Sequence, residues 1–279
     1  MKILHVWDQA STASVIAKWQ RKIGHQTAVI KNSKHDKLKD TSYYGGFIPK
    51  NKYLFVLQAI KMAKKFDIIH LHDAWFMVVP LKILYPKKKI IMHYHGSMVR
   101  DELKGKSMRL KWEKLVDSII VATPDLIELE YSKQPYYIPN PVDTELFCTQ
   151  NIIANEDYGL ILLKKNQSLS RTRQELHKRH PDIDLFTLNE KVEYSEFPNI
   201  LAHYSYYVDL PIINGKLIHA NSVTGLQAMS MGLKVISWDY SITNSLPDYH
   251  RPENVVREID KIYSGRFCRF CRFCRADQQ

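Results

Sequence analysis

Two pairs of histidines share a spacing that suits chemistry. His70 and His72 flank Leu71 in Asp67-Ile68-Ile69-His70-Leu71-His72-Asp73, and His93 and His95 flank Tyr94 in Ile90-Ile91-Met92-His93-Tyr94-His95-Gly96. Side chains alternate along a strand, so each pair shares one face. With Asp73 alongside, such imidazoles suit metal ligation, as in a metal-dependent hydrolase using His-x-His strands. They equally suit hydrogen bonding to a polar substrate. No further Asp or Glu stands at matching spacing near the other strand ends, so no metal is expected. Gly96, next to His95, lets a ligand approach the backbone. Asp8 follows the first apolar run, where it either accepts from a substrate hydroxyl or caps the loop. Ser222 precedes a helical run. As its N-cap it leaves the N–H groups of Val223 and Thr224 pointing outward, and a helix N-terminus attracts phosphate. Gln227 lies one turn further on. Lys164 and Lys165 follow an apolar strand and offer positive charge, with Arg171 and Arg173 as weaker candidates.

Other signatures are missing. With 10 glycines in 279 residues, the chain has no Gly-x4-Gly-Lys, Gly-x-Gly-x-x-Gly or Gly-x-Ser-x-Gly motif, and no His-Glu-x-x-His. Cys268, Cys271 and Cys274 stand in an Arg-Phe-Cys unit repeated three times. No fourth ligand is near, and the arginines oppose a dication, so 266–279 reads as a low-complexity tail. The elements that must carry the candidates alternate between strand and helix. Strands are predicted at Ile3–Trp7, Thr27–Ile30, Asp67–His72, Lys89–His95 and Ser118–Thr123, then Gly159–Leu163, Asp184–Leu188, Tyr206–Leu210 and Lys234–Trp238. Helices are predicted at Ser14–Ile23, Tyr53–Lys65, Ser170–Lys178, Glu196–Ala202, Ser222–Met231 and Pro252–Ile262, with Lys31–Lys52 a long loop. The nearly continuous apolar strands fit parallel sheets covered on both faces. The expected architecture is α/β, with two doubly wound Rossmann-like domains facing a cleft, 1–140 and 141–265, hinged at Pro139-Asn140-Pro141.

Several ordered segments resemble the nucleotide-sugar glycosyltransferases of GT-B fold, in particular the retaining group 1 or family 4 type. They are Gly24-His25-Gln26-Thr27-Ala28-Val29, the two histidine strands, Ile138-Pro139-Asn140-Pro141-Val142-Asp143, and 222–236 with its Gly225-Leu226-Gln227-Ala228-Met229-Ser230-Met231-Gly232. The resemblance implies an acceptor-binding N-terminal domain with Asp8 and Gly96 at the acceptor. It implies His95 as the catalytic residue lining the sugar pocket. The donor would be bound in 141–265 by Ser222, Val223, Thr224, Gln227, Lys164 and Lys165. No cofactor beyond the nucleotide-diphosphate sugar is implied. The family's Glu-x7-Glu is degenerate, with Gln227 at its second position and His219 eight residues earlier. A different reading is therefore a glycosyltransferase-like protein that binds nucleotide or sugar without turnover.

Charge is divided unevenly. The net charge is +11. Residues 1–140 hold 24 Lys+Arg against 12 Asp+Glu, and 141–279 hold 16 against 17. Lysine supplies 21 of the 24. Arginine forks are what base and phosphate recognition favours, so nucleic acid is not an expected partner. An anionic membrane surface is, with a glycan or glycolipid as acceptor. No apolar run approaches the ~20 residues of a spanning helix, and the start is polar too soon for a signal peptide. A cytoplasmic protein, peripheral at the inner membrane face, is expected.

Overall fold

The computed structural model describes residues 1–100, 106–149, 155–162, 174, 176–188, 191–210, 212–213 and 216–265. They form two units, Met1–Pro141 together with the segment from Pro252, and Val142–Arg251.

In the first unit the predicted strands pair in parallel. They are β1 (Lys2–Val6), β2 (Gln26–Ile30), β3 (Ile68–His72), β4 (Lys89–Tyr94) and β5 (Ser118–Val121), joined by the two-residue β6 (Tyr136–Tyr137) in the order β2-β1-β3-β4-β5-β6. The order reverses between β1 and β3, and ligands of doubly wound sheets bind beyond the C-terminal strand ends at such a switch point. Strand alternation then sorts the side chains. Leu4, Val6, Ile69, Leu71, Ile90, Met92, Tyr94, Ile119 and Val121 belong to one apolar layer, shared with the helices Lys52–Ala63 and Val78–Leu84. Ile3, Ile68, Ile91 and Ile120 belong to the opposite layer, with Ile16 of helix α1 (Thr12–Lys22).

That second layer corrects the expected domain boundary. The helix Pro252–Tyr263 follows the second half in sequence, but it packs Val255, Val256, Ile259, Ile262 and Tyr263 onto the first sheet. Each such burial contributes about 1.5–3 kcal/mol. Lys89 Nζ donates to the terminal carbonyls of Ile262 and Tyr263 at 2.9 Å, neutralising the helix C-terminus. The predicted long loop Lys31–Lys52 is also more ordered than expected. It carries a short helix at Asp40–Tyr43, and Lys31 is buried within 2.9 Å of both Asp40 oxygens. This lysine belongs to the interior and not to the basic surface.

In the second unit β7 (Asn155–Leu162), β8 (Asp184–Leu188), β9 (Tyr204–Val208) and the strand Lys234–Ile236 are parallel, with Ile242–Thr243 antiparallel at one edge. The helix Val223–Ser230 links β9 to Lys234–Ile236 and buries Leu226, Ala228 and Met229. Of the helix predicted at Ser170–Lys178, the part before residue 174 lies outside the described residues. So do Lys164, Lys165, Arg171, Arg173 and the tail 266–279.

Candidate functional site

At the switch point of the first sheet, three neighbouring strands each carry Ile-x-His: Ile3-Leu4-His5, Ile68-Ile69-His70 and Ile91-Met92-His93. Register sets His5 beside His70 and His72 beside His93. With His95 they form one imidazole array on the face that α1 and the C-terminal helix cover. His5, which the sequence reading missed, was detectable from this repeated triplet. The array is hydrogen-bonded in series. Gln20 Oε1 meets His5 Nε2 at 2.8 Å, and His5 Nδ1 meets His72 Nε2 at 3.0 Å. His72 Nδ1 meets His95 Nε2 at 2.9 Å, and His95 Nδ1 meets Asn140 Oδ1 at 2.8 Å. His70 Nδ1 pairs with the Tyr263 hydroxyl at 2.6 Å. Among the described residues His70 Nε2 and both nitrogens of His93 have no hydrogen-bond partner.

Burial keeps the array neutral. It pushes His5 and His95 down to about 4, and His70, His72 and His93 well below the usual histidine range, with neighbouring imidazoles adding to the effect on the last three. Both ring nitrogens of His95, the expected catalytic residue, are engaged, by His72 and by Asn140. Asp73 supports the strand end, its Oδ1 accepting from His95 N–H at 3.2 Å, and burial raises its carboxyl to about 7.

The two expected acceptor residues also have structural tasks. Asp8 is buried, and its carboxylate accepts from Ala13 N–H (2.8 Å), Ser14 Oγ (2.5 Å) and Thr41 Oγ1 (2.9 Å). It caps α1, and no acceptor hydroxyl is needed to account for it. Gly96 has φ +116°, and a Cβ there would overlap the Arg100 guanidinium, which is held by Asp125 at 2.7 Å. Beside the switch point lies an unpredicted cavity of ≈ 460 Å³, lined by Trp7, His35, Phe55 and Phe76 with Lys34, Lys50 and Lys52 on its rim.

In the second unit Ser222 is the N-cap that the sequence predicted, its Oγ accepting from Gly225 N–H at 3.1 Å. Val223 and Thr224 supply the other first-turn N–H groups. Asp209, which the sequence reading missed, is buried at the same helix end and accepts from Ser222 N–H at 2.7 Å. Gly225 makes this possible, because a Cβ there would run into the Asp209 carboxylate. Gln227 is buried on the inner side of the helix.

Parallel α/β units with their candidate groups at strand ends and at a helix N-terminus are Rossmann-like. Residues 9–146 match the family model described as Glycosyltransferase Family 4. A comparison with curated proteins finds no match. Three solved structures are similar over most of the chain. Acinetobacter baumannii MurG is 10% identical (TM-score 0.42), covering 93% of this chain and 83% of that one. CalG4, the calicheamicin glycosyltransferase, is 11% identical (0.45), covering 93% and 89%. LpCGTa in complex with UDP is 9% identical (0.46), covering 92% and 82%.

Proposed function

We propose that the protein transfers a glycosyl group, with retention, from a nucleotide-diphosphate sugar to an anionic or lipid-linked glycan acceptor. The observation that carries this reading is the match of residues 9–146 to the Glycosyltransferase Family 4 model. The donor diphosphate is taken by the N-terminus of the helix Val223–Ser230, where Val223 and Thr224 N–H meet the charge that develops on the leaving group. Lys164 and Lys165 add counter-charge, so the step needs no metal at the diphosphate. The acceptor enters the cavity of the first unit, whose aromatic walls suit a sugar face and whose lysines suit an anion. Tyr53, Leu57, Ile83 and Leu84 are exposed apolar side chains on the two helices of that unit's other layer, and Lys61, Lys64, Lys65 and Lys87 are exposed nearby in sequence. Apolar groups and lysines together are what a peripheral membrane contact requires.

The test is a panel of UDP-, GDP- and ADP-sugars, read by thermal shift and by release of the nucleotide diphosphate. One donor should stabilise the fold and be turned over, and Thr224→Glu should weaken its binding at least tenfold. Binding without turnover favours the catalytically degenerate reading. Binding unaffected by Thr224→Glu removes the proposed donor site.

A further inference from the structure

We propose that His72, His93 and His95 form a buried three-imidazole site for a divalent late first-row metal, with zinc as its chemical type. The first support is a proton count. The chain from Gln20 Oε1 through His5, His72 and His95 to Asn140 Oδ1 has four links and ends on an acceptor at each side. Four links need four protons, and three neutral rings carry three. A fourth proton would make an imidazolium. Turning the Gln20 amide closes the count as well, because its second contact, at 3.4 Å, is the Tyr263 hydroxyl, which can donate or accept. The count therefore admits a metal, and the choice rests on His93 and on the spacing of the rings.

A metal between His72 Nδ1 and His95 Nε2 replaces the missing proton. His95 Nδ1–H then donates to Asn140, His72 Nε2–H to His5, and His5 Nε2–H to Gln20, one proton per link. Outer hydrogen bonds of this kind fix the tautomer and ring orientation of metal-bound histidines. The second support is His93. It is fully buried between the other two, and neither of its nitrogens has a partner among the described residues. A buried unpaired polar atom costs free energy, and a metal at this place would satisfy one of them.

The spacing is near that of a tetrahedral site, and the His72 Nδ1–His95 Nε2 pair, 2.9 Å apart, must open to about 3.4 Å to admit the ion. One nitrogen from each of the three rings lies within 4.8 Å of the others. The ring centroids are 4.2 Å (His93–His95), 5.1 Å (His72–His95) and 5.3 Å (His72–His93) apart. Imidazoles radiating from a tetrahedral zinc at ~2.0–2.1 Å hold their centroids roughly 5 Å apart. His5, His70 and His72 make a second possible triad. There, however, the His5 nitrogens are committed to Gln20 and His72, and only His70 Nε2 is unpaired. The site belongs to the first unit, and the transfer reading does not depend on it.

The experiment uses the full chain with Cys268, Cys271 and Cys274 replaced by serine, so that the tail offers no thiolate. The protein is stripped with a chelator, then titrated with Zn²⁺ against a chromophoric competitor and, in parallel, with Co²⁺. One Zn²⁺ per chain and the visible bands of tetrahedral Co²⁺ are expected. His93→Phe keeps the ring volume and removes both nitrogens, and it should lower Zn²⁺ affinity by about a hundredfold or more. His70→Phe should change it less than about threefold. The parent titration stands without any variant, and the absence of saturable Zn²⁺ binding overturns the proposal in favour of a proton-shared histidine chain. Loss of binding in His70→Phe with retention in His93→Phe overturns it in favour of the other triad.

Discussion

Acid should unfold the first unit far above the pH at which carboxylates usually matter. Five histidines, four of them buried and His95 half-buried, bind protons in the unfolded chain near pH 6.5 and resist them in the folded one. Their folded values are depressed, so their contribution is complete above pH 6.5 and is lost as pH falls towards the folded values. For His5 and His95, held down to about 4, the loss between pH 8 and pH 5 is about 2 kcal/mol each. His70, His72 and His93 reach the same ceiling at pH 5, since the unfolded state sets it. The sum is about 10 kcal/mol. Buried carboxyls work in the opposite direction. Asp73, raised to about 7, and Asp40, raised to about 6, together return about 4 kcal/mol. Burial raises Asp8 as well. The net loss is roughly 4–6 kcal/mol, a large part of the 5–15 kcal/mol that domains typically possess. Urea unfolding in chelator at pH 8, 6 and 5 measures it, followed by tryptophan emission, since Trp7, Trp19, Trp75 and Trp112 all belong to this unit. His93→Phe should reduce the loss by about 2 kcal/mol. A stability at pH 5 within 1 kcal/mol of that at pH 8 would refute the argument that the array is held neutral by burial.

Three further outcomes are expected. Ending the chain before Pro252 should expose the Ile3, Ile68, Ile91 and Ile120 layer and leave the first unit aggregated, whereas a soluble, cooperatively melting product would show that the C-terminal helix is dispensable. Asp8→Ala should cost about 2–4 kcal/mol in urea unfolding, through the lost cap and the stranded Ser14 and Thr41 hydroxyls, with donor affinity unchanged. The full chain should sediment with anionic vesicles at low salt and lose binding as salt rises beyond the ~8–10 Å screening length. Leu57→Glu with Ile83→Glu should release it, and retention of that double variant would move the contact elsewhere on the basic surface.

The parallel-sheet character, the positions of most strands and the Ser222 cap were legible in the sequence, because each follows from local pattern: continuous apolar runs, alternation, and a hydroxyl before a helical stripe. The family resemblance was legible for the same reason, being carried by short contiguous motifs. What the sequence could not say is which strand lies beside which. His70 and His72 were seen to share a face, but only the β1-β3-β4 pairing brings His5 and His93 against them. That pairing turns separate pairs into one hydrogen-bonded array and uses both nitrogens of His95. Likewise Asp8 read equally as a substrate contact or a cap until Ala13, Ser14 and Thr41 closed around it. The helix Pro252–Tyr263 looked like the end of the second half, because the chain is linear and packing is not. Its apolar stripe was evident from residue spacing, but the surface it covers was decided by the free-energy gain of burying an isoleucine layer that lies between Ile3 and Ile120 in the chain.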